Sequence, residues 1–512
     1  MLDVAIAGAG IAGLSCARRL AEHPHIRSIA LFEAADRVGG RIRTQYDAAG
    51  RPLYETGAWR IPNGHEHVLQ LCRELGLELQ RVPSEGRSAL KGWLGPVGPE
   101  AAHPSAPCAA TLANWDVVAA ADGVAAAELA EARTGYAGIQ QQAYMADAYG
   151  VDTAVNDGCT FYVPVRGLSS ICEALRAALA RSPKVTFHMQ ARVTDVRAVG
   201  EGYVVEAQQR RDRAFAPLTR PADFVVLALP PWQLQRLPGL RAALQPILAA
   251  VEALPLLKVF SEAGRAVEAA LGLPGQAQGF HLKADTLAQQ LISNTYATAV
   301  PLVQLAYSGG RRAEALEHLR LCGGLLPTLV RELLPLARPG AAAELERAVL
   351  AAPAHVHYWK HAVHLWRPSF ALDVPRKSRE ACLLPHLAFP NVFLCGEALS
   401  TVQGWSEGAL ITAHQVAHAV ERAASYRAAY DEWPLPAAVP RMRGLFRAGG
   451  SPRHVVYDRR LVDVGAWMRV HPGSTAAIEN HLGEDITELF QAVLHPEYAL
   501  GIMFALQFAW AP

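Results

Sequence analysis

A chain of 512 residues and 55.1 kDa is longer than one domain usually runs; at about 100–200 residues per domain it predicts two to four. Hydrophobic residues make up 51% and charged residues 19%, which supports sizeable cores and excludes a disordered or collagen-like chain. Lys plus Arg total 48 against 47 Asp plus Glu, so the net charge of +1 lacks the basic excess of a nucleic-acid binder. None of the eight cysteines forms a C-x-x-C pair, which argues against a zinc site or dithiol motif. A chain of this length does not need disulfides, and a reducing, cytoplasmic compartment is expected. An apolar strand begins almost at Met1 and runs into a glycine loop, so no secretory leader is expected. Nor does any uncharged apolar stretch approach the roughly 20 residues of a membrane-spanning helix.

Strand, loop and helix alternate at the start. Val4–Ala7 is a short apolar run ended by Gly8, Ile11–Leu20 carries apolar residues at helical spacing, and Ser28–Phe32 is a second apolar run. The size is that of a strand–helix–strand unit. Val185–Val196 reads as paired strands, Phe224–Leu229 as a buried strand ended by Pro230 and Pro231, and Asn391–Gly396 as another apolar run entering a glycine. Ala313–Leu334 reads as helix, with Pro335 ending it. A sheet assembled from such distant segments implies a second domain inserted between them. Pro434, Pro436 and Pro440, followed by Gly449-Gly450-Ser451-Pro452, read as a linker over 431–452. A small module is expected at 453–512.

Gly8-Ala9-Gly10-Ile11-Ala12-Gly13 is G-x-G-x-x-G between a strand and a helix. Gly8 allows the tight turn, Gly10 lets the backbone approach a pyrophosphate, and Gly13 lets helix and strand pack closely. The helix N-terminus offers free N–H groups to phosphate. Glu33 ends the second strand twenty residues after Gly13, where a carboxylate can accept from ribose hydroxyls. Arg37-Val38-Gly39-Gly40-Arg41 then forms a cationic loop with an accessible backbone near the same pyrophosphate.

The order of glycine loop, helix, strand, Glu33 and R-x-G-G-R resembles the flavin-dependent amine oxidase superfamily, which includes monoamine, polyamine and L-amino-acid oxidases. The resemblance covers about residues 1–425. It implies an α/β Rossmann-like FAD-binding domain (about 1–60, 155–235 and 388–430) with an interleaved α+β substrate domain (about 61–154 and 236–387). It also implies that Val193 holds the adenine through backbone groups and that Glu397 of Gly396-Glu397 contacts the flavin ribityl or phosphate region. The segment Gly404-Trp405-Ser406-Glu407-Gly408-Ala409 is similar to the one on which the family's flavin ring lies; the alternative for Glu407 is a capping carboxylate in the first helical turn. Cys382 and Cys395 lack the surroundings of a flavin-linking cysteine, so FAD is expected to be non-covalent.

On the substrate side, Lys258 lies in the apolar run Leu256–Phe260. The resemblance gives it the lysine that holds a water beside the reactive flavin nitrogen; the alternative is a strand-end lysine reaching solvent. Gly57-Ala58-Trp59-Arg60 is similar to the G-x-x-R of L-amino-acid oxidases, whose arginine grips the substrate carboxylate with a planar fork. The alternatives for Arg60 are a surface salt bridge or a purely flavin-binding arginine. Gly404 and Trp405 are expected at the flavin face, with His364 or Trp366 as a candidate opposite wall of an aromatic slot. The chemistry implied is oxidation of an amine, read here as the α-amino group of an amino acid, with dioxygen or an external electron acceptor completing the cycle. A polyamine oxidase, a C–C desaturase or a flavin-binding electron-relay or interaction protein are the other readings.

The C-terminal module carries Val455-Val456-Tyr457-Asp458, His471-Pro472-Gly473-Ser474, Gly483-Glu484-Asp485-Ile486-Thr487 and His495. This resembles cytochrome b5, a small α+β domain in which two imidazoles ligate haem b iron from opposite faces. His471 and His495 are the expected ligands and His481 a rival. Ser474 departs from the family's second glycine.

Overall fold

The structure is a computed structural model. It describes residues 2–82, 160–367 apart from 201, 213, 276 and 285, then 378, 381, 382, 389, 391–431, 454–457, 460–465, 468, 478–492 and 507–510. The expected strand–helix–strand unit forms β1 (Leu2–Ala7), α1 (Ile11–Ala21) and β2 (Ile26–Phe32). Three distant strands complete a parallel sheet: β3 (Val185–His188), β4 (Phe224–Leu227) and β5 (Val392–Leu394), in the order β5-β4-β1-β2-β3. Residues pair in register as Ile6 with Leu31 and with Val226. β1 and β4 are almost entirely buried, as expected of a parallel sheet covered on both faces. α2 (Glu66–Glu74) and the long α3 (Ser406–Asp431) follow; α1 packs against α3.

The run Val185–Val196 does not form a strand pair. β3 lies parallel to β2, whereas Ala191–Val199 leaves for a separate antiparallel sheet with Gly202–Arg211 and Ala214–Ala222. Gln190, at φ 54°, turns the chain between the two sheets. Apolar runs alone do not specify which edge a strand joins.

A second sheet holds Val251–Ser261 between Val303–Gly309 and Ala354–Trp366, with Gln290–Ser293 and His281–Lys283 beyond. Side chains alternate along Val251–Ser261. Leu257 and Val259 enter a core shared with the helices Gly264–Leu271 and Leu325–Leu333. Lys258 and Phe260 take the opposite face, where Phe260 stacks on Tyr54 at 4.2 Å. The helical stretch Ala313–Leu334 is two helices, Gly310–Leu321 and Leu325–Leu333, separated at Gly323, whose φ of 75° is a left-handed helix stop. Two short strands, Ile61–Pro62 and Leu79–Arg81, flank Phe161–Pro164. Most of the expected substrate segment 61–154 lies outside the described residues.

In the C-terminal part, His454–Tyr457, Arg460–Asp463 and Gln507–Trp510 form an antiparallel sheet. Tyr457 meets Phe490 edge-on at 4.8 Å. The Val-Tyr strand and the G-x-D-x-T loop are stitched together: Val456 N donates to Glu484 O (2.8 Å) and Ile486 N donates to Val456 O (2.8 Å). No helix among the described residues is long and apolar enough to cross a membrane.

Candidate active site

The glycine loop forms an open cradle. A Cβ on Gly13 would lie 2.0 Å from Gly8 O and one on Gly8 2.4 Å from Ala228 O, so these two glycines exist to bring helix and strands together. A Cβ on Gly10 would meet nothing within 4 Å. Gly10 directly precedes α1, and no side chain caps that helix. The first-turn N–H groups therefore face the same open space, as phosphate binding requires. Gly39 N donates to Ala9 O (2.8 Å), which lays the R-x-G-G-R loop against the cradle. Glu33 accepts from Ala9 N and Ala35 N, each at 2.8 Å, which fixes its carboxylate at the end of β2 with lone pairs to spare. Arg37 does not project outward; its guanidinium clasps Val38 O, Gly40 O and Ile42 O and shapes its own loop. Val193 is half-buried on a strand whose first residue, Ala191, donates to Glu33 O (2.7 Å). These residues fit a dinucleotide: a cradle that a side chain at Gly10 would fill, free helix N–H groups and a placed carboxylate.

Glu397 joins three distant segments. Its carboxylate accepts from Arg41 Nη1 (2.6 Å), His364 Nδ1 (2.9 Å), His364 N (3.0 Å) and Gly404 N (2.8 Å). Burial alone would raise its proton affinity, but Arg41 and then His364 outweigh it and hold the carboxyl well below its usual range. A Cβ on Gly396 (φ 139°) would meet no described atom within 4 Å, whereas one on Gly404 (φ 82°) would touch Val363 Cγ1 at 3.8 Å. His364 and Trp366 are sealed from solvent at 0% and 3% exposure, His364 on Glu397 and Trp366 on Ser400 O, so neither presents a face to an open slot. The ring that meets Trp405 is His65, edge-on at 4.9 Å. Glu407, in the first turn of α3, caps α2 instead of its own helix, accepting from His67 N and Val68 N at 3.0 Å.

Lys258 is completely buried in mid-strand and does not reach solvent. Its Nζ donates to Gly57 O (2.5 Å) and Glu55 O (3.1 Å). Burial pushes its ammonium down to about 7, the Glu55 charge opposing and the Arg60 charge adding. Arg60 is buried as well, its guanidinium 3.5 Å from the Phe161 ring centroid and 4.2 Å from that of Trp59. Residues 55–60 thus carry both the carbonyls that hold Lys258 and the arginine. Trp59 meets Tyr307 and His281 at 5.9 Å, and Tyr307 lies 5.1 Å from Lys258 Nζ. Burial, then Arg60, pushes His281 down to about 3, so its imidazole stays neutral. Glu55, His281, Tyr296 and Tyr307 escaped the sequence reading. Only Glu55 had a signal, as a carboxylate two residues before the G-x-x-R segment. A cavity of about 400 Å3 lies elsewhere, in the second core among Leu271, Phe280, Leu291 and Leu305.

Cys382 and Cys395 are buried, and burial pushes the Cys382 thiol up to about 12 and Cys395 higher. Neither thiol is a ready nucleophile. Acid precipitation of the purified holoprotein should leave all the flavin in the supernatant; yellow pellet would contradict a non-covalent link.

His471 and His495 lie outside the described residues. His481 is engaged by Glu484 Oε2 at 2.7 Å. Asp485 accepts from Thr487 N (3.0 Å), which explains the D-x-T spacing as the start of the helix Thr487–Ala492.

The parallel sheet, the glycine cradle and the carboxylate closing β2 define a dinucleotide-binding flavoprotein oxidoreductase. Residues 11–95 and 113–421 match the flavin-containing amine oxidoreductase family, and the chain belongs to it. Residues 447–507 match the cytochrome b5-like haem/steroid-binding domain; that match begins inside the stretch read as linker. These families imply FAD and haem as cofactors. An L-amino-acid oxidase of Mus musculus is 42% identical over 76 residues, 15% of this chain and 12% of that protein. A 15-cis-phytoene desaturase of Synechococcus elongatus is 43% identical over 77 residues, 15% of this chain and 16% of that protein. The chain thus spans only a small part of these curated relatives. The solved structure of wild-type putrescine oxidase bound to putrescine superposes with a TM-score of 0.60 at 18% identity, covering 81% of this chain and 98% of that one. At that identity it shows the shared fold.

Proposed function

We propose that the protein oxidises the α-amino group of an amino acid, with FAD in the cradle of Gly8, Gly10, Gly13, Glu33, Gly39, Gly40 and Glu397. The observation that carries this reading is Arg60: a guanidinium buried between Trp59 and Phe161, on the same six-residue stretch that holds Lys258. A carboxylate entering this low-dielectric place needs a charged, forked partner, and Arg60 is that partner. Lys258, poised near neutrality, can hold or release a proton at Nζ. Trp405 and Gly404 border the space in which the α-carbon would be presented. His281, neutral, adds no positive charge against the substrate amine. When bound, FAD supplies the acceptor for hydride from the α-carbon. The substrate leaves as an imine, which water hydrolyses to an oxo acid and ammonia.

A panel of amino acids, their decarboxylated amines and polyamines tests the reading through anaerobic bleaching of the flavin. Amino acids should bleach it fastest; a preference for decarboxylated amines or for polyamines overturns the carboxylate clamp.

The C-terminal module would supply a one-electron acceptor beside the flavin domain, held by His471 and His495. Tethering keeps it at an effective concentration that reaches the ~mM range when the linker spans the sites. His471→Ala or His495→Ala should abolish the haem absorption while flavin bleaching by substrate persists. In the parent, anaerobic substrate should reduce the haem bands after the flavin; haem that stays oxidised would exclude internal transfer.

A further inference from the structure

Glu55 is a buried carboxyl group at the centre of the site to which no role is attached. It is 2% exposed. Oε1 accepts from Tyr296 OH (2.6 Å) and Leu168 N (2.8 Å), and both oxygens accept from Thr44 Oγ1 at 3.0 Å. Three segments therefore converge on one carboxylate. Its own carbonyl accepts from Lys258 Nζ, as does that of Gly57 two residues on. Gly57 packs closely on Arg41, where a Cβ would lie 1.8 Å from Arg41 O, and the next residue, Ala58, donates its N–H to the same oxygen (3.1 Å). Pinning the Glu55 side chain thus fixes both acceptors of the lysine.

We propose that Glu55 is a positioning residue for Lys258: its anchored carboxylate holds the two carbonyls in place and supplies the negative charge that lets a fully buried lysine keep a proton. This deepens the functional reading above and rests on it only for the purpose that Lys258 serves. The groups around Lys258 make Glu55 the one source of that charge among them. Arg60 follows on the same segment, Tyr307 comes from Val303–Gly309, and His357 is the register partner of Lys258 on Ala354–Trp366. Arg60 opposes a proton on Lys258, burial pushes His357 down to about 4, and burial, then Glu55, raises the Tyr296 hydroxyl so that it stays neutral. A buried ammonium with carbonyl acceptors alone surrenders its proton. Burial also raises the proton affinity of Glu55, which the hydrogen bonds from Tyr296, Leu168 and Thr44 oppose. Those three donors, together with the Lys258 charge itself, are what opposes loss of the charge on Glu55.

The chain has six lysines, so an isotope-labelled lysine side-chain NMR titration of the full-length holoprotein is simple enough to read. Lys258→Met identifies the Lys258 signal by its loss. In the parent that signal should titrate near neutrality. Glu55→Gln keeps the size and the accepting oxygen but removes the charge; the Lys258 midpoint should fall by about one unit or more, a tenfold weaker hold on the proton. Tyr296→Phe removes one stabilising donor from the carboxylate and should move the midpoint the same way by less, which keeps the test open should Glu55→Gln fold poorly. The other signals should stay where they are. A Lys258 midpoint unchanged in both variants overturns the proposal. A protein that no amine reduces, yet whose Lys258 midpoint moves as stated, loses the amine-oxidation reading and keeps this one.

Discussion

Gly10→Val is expected to yield a folded, soluble protein that purifies without flavin. No described residue lies within 4 Å of the new Cβ, so the described fold has room for it. The added atoms would occupy the space in front of α1, where the uncapped N–H groups and the dipole attract a pyrophosphate. Gly13→Val provides the contrast. Its Cβ would fall 2.0 Å from Gly8 O, so α1 must shift from β1, and this variant should lose solubility or melt well below the parent. Flavin content per protein and a thermal melt distinguish the two effects. A Gly10→Val protein with full yellow colour would refute the cradle as the cofactor site.

Arg60→Ala should cripple oxidation of carboxylate-bearing substrates. Leaving a desolvated carboxylate without its charged partner costs about 2–5 kcal/mol. At roughly 1.4 kcal/mol per tenfold, kcat/KM should fall by about 30-fold to a few thousandfold. Decarboxylated amines never used the clamp and should lose much less. Arg60→Lys keeps the charge but not the two parallel donors, and should recover only part of the loss. The measurement is kcat/KM for a good amino acid and for its decarboxylated amine in all three proteins. Equal kcat/KM for the amino acid in parent and Arg60→Ala would show that Arg60 does not grip substrate.

The cofactor end was legible in the sequence because its signals are local. Gly8, Gly10 and Gly13 lie within six residues, and Glu33 ends the next strand of the same unit, so spacing along the chain is also spacing in space. The lysine was legible as a residue type in an apolar run, but its purpose came from a resemblance. The aromatic slot was misplaced: alternation along Ala354–Trp366 gives the face of a side chain but not what covers that face, and there His364 turned onto Glu397.

By itself the sequence determined the strand–glycine-loop–helix unit and the presence of a second, histidine-bearing module. Local propensity and short-range spacing suffice for these, because each motif contains the residues that make its own contacts. Only the tertiary structure decided that Val185–His188 and Ala191–Val199 belong to different sheets. It also decided that Lys258 sits in register between Tyr307 and His357, and that Glu55 meets Tyr296 across 241 positions of sequence. Strand periodicity tells which face a residue takes. Which strand it pairs with, and in which register, depends on the packing of segments far apart in the chain, and the environment of a buried lysine follows from that pairing alone.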